Sequence, residues 1–212
     1  MKSAVSSQFA RPKIDARALL GLRDPDDSTD WGPIRAAQLN TGSQLALMLI
    51  AANMLGAALL LVLLRGAIPT WQLVLWAAFV GAMSTGVVVR RLAGRNRTRM
   101  TATVQDVRGT ALDGLSLGAV WAIAPLWFGP AVHGNASLGL WITLAILMTA
   151  SAIAMAALPL ATLLFLGVLG GALALSLAIW ADITLAAAAL LFAALLCFTC
   201  FGRGRSLVVI RA

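Results

Sequence analysis

Six apolar runs of about 20 residues, separated by short polar breaks, constrain this chain more than any other feature. A helix of that length crosses a hydrocarbon core of about 30 Å. The runs cover residues 45–65, 71–89, 111–128, 136–155, 158–180 and 183–201. The third is the least sharply defined, because Asp113 and Gly114 dilute its start. Only Pro159 punctuates the fourth and fifth, and proline breaks a helical ladder. Read as one span, that pair would be far too long for a single crossing.

Composition agrees with the pattern. Sixty per cent of the residues are hydrophobic and 11% are charged, against roughly 25% charged in a soluble domain. The expected fold is an all-α integral membrane protein: a tail at residues 1–42, a six-helix transmembrane bundle at 43–202, and the start of a connector at 203–212. "MKSAVSSQFARPK" has a basic start but no apolar core behind it, so it does not read as a signal peptide. Within the tail, Ile14, Leu19, Leu20 and Leu22 are spaced to line one side of a short interfacial helix. Asp24, Asp26 and Asp30 open like a calcium loop, but its glycine and closing Glu are missing. Helix capping by Ser28, Thr29 or Asp30, with Pro33 in a first turn, explains the stretch better.

Orientation follows from the basic residues of the loops. Fifteen of the 16 lie in the N-terminal tail, the loop after the second span and the C-terminal tail; only Arg65 lies on the other side. That asymmetry places both termini in the cytoplasm, as an even number of spans requires. Arg90, Arg91, Arg95, Arg97, Arg99, Arg203 and Arg205 then read as membrane-border anchors to anionic lipid. They form no stripe on a soluble surface, so the net charge of +8 does not point to nucleic acid. Trp71, Trp127 and Trp180 mark the arginine-poor border, with Trp76 and Trp141 about a turn inside. An interfacial belt explains these rings, and a ligand pocket lined by them is the alternative.

No span centre holds an ionisable residue, which a proton pump or ion-coupled transporter would use. Asp113 and Asp182 read as span-end groups that reach headgroups or cap a helix. His133 reads as a solvated loop residue before it reads as a pH sensor. Without glutamate and with one histidine, the chain cannot build a Glu-based site or a bis-histidine haem. Cys197 and Cys200 have C-x-x-C spacing but no second ligand pair, so they read as packing residues. No nucleotide loop, nucleophile–base pair or cofactor motif is present. Asn53 is the strongest of the mild polar residues at depth and belongs inside the bundle. Close helix packing is expected at Ala82-x-x-x-Gly86, Gly114-x-x-x-Gly118 and Gly167-x-x-x-Gly171, within the bundle or in a homodimer.

Several of these features occur together in one known setting. Arg35 and Gln38 precede the first span and Asn53 lies within it; Trp121 and Pro125 fall in the third, and Pro159 separates the fourth from the fifth. Over about residues 34–205 the chain resembles the N-terminal six-span membrane region of bacterial cyclic-di-GMP signalling proteins. In that family a diguanylate cyclase (GGDEF) domain, often with PAS and EAL domains, follows the last span. No G-G-[DE]-E-F or E-A-L sequence occurs here, so the resemblance implies no catalytic residue and no cofactor for this chain. It implies a membrane anchor and sensory module in the bacterial inner membrane, with a signalling output domain in cis. Asn53, Trp121, Pro125, Trp127, His133 and Trp141 are the residues that ligand sensing, or plain packing, would use. The apolar run Leu207, Val208, Val209 and Ile210 after Arg203 and Arg205 reads as a connector helix. The native reading frame is therefore expected to continue beyond residue 212, and a full-length protein would be a diguanylate cyclase. The expected partners are membrane lipid and a second copy or another membrane subunit. A stand-alone accessory subunit is the alternative function, and a small-molecule transporter is a weaker one.

Overall fold

The computed structural model describes residues 31–95 and 101–211. The expected interfacial helix at 14–22 and the caps at 28–30 lie outside these residues, as do Arg97 and Arg99. Among the described residues there are seven α-helices: α1 (Trp31–Gln44), α2 (Ala46–Leu63), α3 (Thr70–Arg95), α4 (Val104–Ile123), α5 (Asn135–Ala154), α6 (Pro159–Trp180) and α7 (Ile183–Arg211). A π-helical turn at Ala124–Phe128 and a 3-10 turn at Gly129–Ala131 extend α4. All but α1 are long and apolar enough to cross a membrane.

The six spans fall where the apolar runs place them, but the third begins earlier. Its helical stretch covers Val104–Ala131, 28 residues. Thr103 and Asp106 form a capping box: Asp106 N–H donates to Thr103 Oγ1 (3.3 Å) and Thr103 N–H to Asp106 Oδ2 (3.0 Å). Asp113 does not sit at a solvated span end. It is 9% exposed and accepts from Arg90 Nη2 at 2.5 Å, which fastens the end of α3 to α4.

The break between α5 and α6 is also built from local chemistry. Pro159 occupies the first helical position, where its missing N–H costs no bond. Thr162 Oγ1 donates back to Met155 O (2.7 Å) and Leu158 O (3.1 Å), which takes up carbonyls at the interruption. Two turns need a left-handed backbone, and both use glycine: Gly66 (φ 94°) between α2 and α3, and Gly134 (φ 59°) before α5.

The packing centres on α6, whose main neighbours are α4 and α7. Gly114 and Gly118 allow the α4–α6 approach. A Cβ on Gly114 would lie against the Ala161 carbonyl oxygen, and one on Gly118 would lie 3.0 Å from that of Phe165. The other two small-residue pairs do not pack within the chain: a Cβ at Gly86, Gly167 or Gly171 would meet nothing within 4 Å. Gly170 makes the α6–α7 contact instead, since a Cβ there would lie 2.7 Å from Ala193 Cβ. Gly167 and Gly171 lie on the outward face of α6.

Candidate functional site

The polar residues at depth mostly do the bland thing. Thr143, Thr149 and Ser116 donate to carbonyls of their own helices. Asn53 and Ser176 behave differently, and both lead to the irregular end of α4.

Asn53 is fully buried on α2, as expected. Its Nδ2 donates to Leu49 O (2.7 Å) and its Oδ1 accepts from Trp121 Nε1 (2.5 Å). Trp121 is fully buried, and its ring meets Trp76 edge to face, with centroids 5.1 Å apart at 86°. Trp76 makes a second edge contact with Phe128, at 5.7 Å and 86°. Trp76 therefore does not belong to the interfacial belt: it is 5% exposed, whereas Trp71, Trp127 and Trp180 are 60–67% exposed. Its Nε1–H donates to Val120 O at 3.1 Å.

That last bond has a cause in the sequence. Ala124 N–H bonds to Trp121 O, so it does not serve Val120 O four residues back. Within a π turn the next donor for Val120 O would be residue 125, and that residue is Pro125, which has no N–H. The helix widens, the carbonyl of Val120 is left over, and the indole of Trp76 takes it. Pro125 O is taken up in turn by Ser176 Oγ of α6 (2.6 Å). Gly129 keeps this corner tight, because a Cβ there would lie 2.7 Å from Ser176 Oγ and 3.2 Å from the Trp141 ring. One irregular turn and the residues beside it thus join α2, α3, α4 and α6 through three side-chain hydrogen bonds. π-helical turns of this kind are often found at functional positions.

A groove of about 470 Å³ opens beside the cluster. Trp71, Gln72, Leu75, Trp76 and Phe79 of α3 form one wall, and Ile123, Trp127 and Phe128 form the other. Its floor is the Trp76–Phe128 pair, and Gln72 is its one polar side chain. A second groove, of about 350 Å³, lies between α2 and α5 and is lined by residues such as Leu55, Gly56 and Ile146.

The remaining candidates lie apart. His133 is exposed in the turn before α5. Arg90 holds Asp113, whereas Arg91 is 8% exposed and buried against the bundle. The side chains of Arg95, Arg203 and Arg205 lie outside the described ones. Among the described residues no group of three His, Cys, Asp or Glu side chains converges as a metal site. Both cysteines are free thiols, and Cys200 Sγ contacts Ala152 O at 3.5 Å.

Six helices long and apolar enough to cross a membrane define a multi-pass helical membrane protein. No family model, curated protein or solved structure matches the chain.

Proposed function

We propose that this chain is the membrane-anchoring and sensory region of a bacterial inner-membrane signalling protein. Both termini face the cytoplasm in this reading, and α7 leads into a cytoplasmic output domain of the diguanylate cyclase type. The observation that carries the proposal is the contact between the open groove and the Asn53–Trp121–Trp76 cluster. An apolar molecule in the groove would press on Phe128, which belongs to the interrupted turn of α4, and on Trp76 of α3, which packs against that turn. Any shift there moves Ser176 on α6, the central helix, and α6 packs along α7. A ligand acts through such an element only by binding its two packings unequally. The even span number and the arginine asymmetry support the orientation.

The test uses the native gene at its full length in its own host. Cellular cyclic-di-GMP is compared between wild type, a deletion strain, and Trp76→Phe at matched protein abundance. A change of about fivefold or more between wild type and either strain supports the reading. Equal levels in all three contradict it.

One observation favours a second reading, an accessory subunit of a larger membrane complex. Gly167 and Gly171 form an outward small-residue face on α6, and only 22% of the α7 span is buried within the chain. Stoichiometric co-purification of different membrane proteins in mild detergent would support that reading.

A further inference from the structure

Among the described residues, Arg91 is an arginine whose whole guanidinium is buried without a hydrogen-bond acceptor. It lies one residue before the end of the α3 span window, at the arginine-rich border. The side chain is 8% exposed, and Nε, Nη1 and Nη2 are all buried without a hydrogen-bond acceptor. A guanidinium stays protonated and carries five N–H donors in a planar fork. Burying it unpaired is costly, and proteins normally supply an anion.

Among the described residues, the neighbourhood supplies too few. Asp113 is close enough to attract Arg91, but its Oδ1 is held by Arg90. Asp106, the other described carboxylate near this end, is engaged by the Thr103 capping box. The first turn of α1 reaches the α3–α4 connection through Ala102 N–H to Gly32 O (3.1 Å). Among the described residues around Arg91, then, two adjacent arginines share one carboxylate. Water would satisfy the N–H groups but leave the charge.

We infer that Arg91 binds a phosphate group, drawn from a lipid headgroup or from a soluble phosphate compound. A phosphate matches the fork in two parallel bonds and supplies the missing negative charge. The level is right as well, because residues ending a span lie near the headgroup phosphates. The long side chain swings outward to present its fork while its stem stays packed on the bundle.

The experiment is thermal unfolding of the purified full chain in a nonionic detergent and phosphate-free buffer. One arm adds phosphatidylglycerol to the micelles, a second adds inorganic phosphate, and a control adds chloride at equal ionic strength. Wild type should gain about 5–10 °C over the control in at least one arm, at roughly a hundredfold excess over Kd. A gain with the lipid alone identifies the headgroup, and a gain with inorganic phosphate identifies a soluble ligand. Arg91→Gln and Arg91→Met should lose the gain, and Arg108→Gln, which changes an exposed arginine on α4, should keep it. Arg91→Met should also start at or above the wild-type midpoint, since an apolar side chain removes the buried charge. No gain in either arm for wild type, or an undiminished gain in Arg91→Met, overturns the inference.

Discussion

Toward the tryptophan-rich end of the bundle, a proline-interrupted turn creates spare carbonyls, and each finds a donor: Val120 O takes Trp76 and Pro125 O takes Ser176. At the arginine-rich end α3 runs as an unbroken helix, yet Arg91 is buried with no acceptor at all. Irregular backbone is therefore not where this fold is incomplete. The first region is closed by its own side chains, whereas in the second the described residues leave the Arg91 fork without an acceptor. The difference teaches that a broken helix inside a membrane is tolerable when the residues around it carry donors, whereas a surplus cation cannot be repaired by repacking.

The comparison breaks most visibly at Trp121. Trp121→Ala should destabilise by about 4 kcal/mol, because it opens a large cavity and strands Asn53 Oδ1 as well. Unfolding in mixed micelles measures this, and a loss under about 1 kcal/mol would show that the cluster is not closed. Gly114→Ala comes next. Its Cβ would press on the Ala161 carbonyl oxygen, a backbone atom that cannot rotate away, so a loss of about 1–3 kcal/mol is expected. Gly167→Ala, facing outward, should stay within about 0.5 kcal/mol in the same assay.

Those two glycines also show what sequence could and could not reveal. Run length located all six spans, because a hydrocarbon core demands a length and little else. Facing was another matter. A span that is apolar all round carries no periodic signal of which side is buried, so Gly167-x-x-x-Gly171 and Gly114-x-x-x-Gly118 look alike, and only the second packs. Trp76 reads as a belt residue for the same reason, since aromatic identity does not say whether a ring faces lipid or a neighbouring helix. Asn53 was legible because a side-chain amide at depth has few other places to go. The Arg90–Asp113 pair was not, because it joins residues 23 apart whose alignment depends on how α3 and α4 slide past each other. Pro125 was visible in the sequence, but its effect on Val120 needed the turn itself.

The smallest expected effect is at Asp182, between α6 and α7 and outside the spans. Thr184 Oγ1 and Thr184 N–H donate to its Oδ1 (2.7 and 2.6 Å) and hold its carboxyl below the ordinary value of 3.8. Because the folded value lies below the unfolded one, the cap is fully present above about pH 4. It is lost as the pH falls through the folded value, below 3.8. Hydrogen exchange at Thr184 should stay slow at neutral pH, quicken only below that value relative to the intrinsic rate, and lose this dependence in Asp182→Asn. Exchange that quickens between pH 5 and 8 would contradict the assignment.

Asn53 and Trp76, on different helices and not hydrogen-bonded to each other, act as one unit through Trp121 and the turn beside it. A double-mutant cycle in the purified protein tests it most directly. With Asn53→Ala and Trp76→Phe, a coupling energy of about 0.5 kcal/mol or more is expected beyond the sum of the single changes. Effects that add within about 0.3 kcal/mol would mean that the two residues are packed near one another and nothing more.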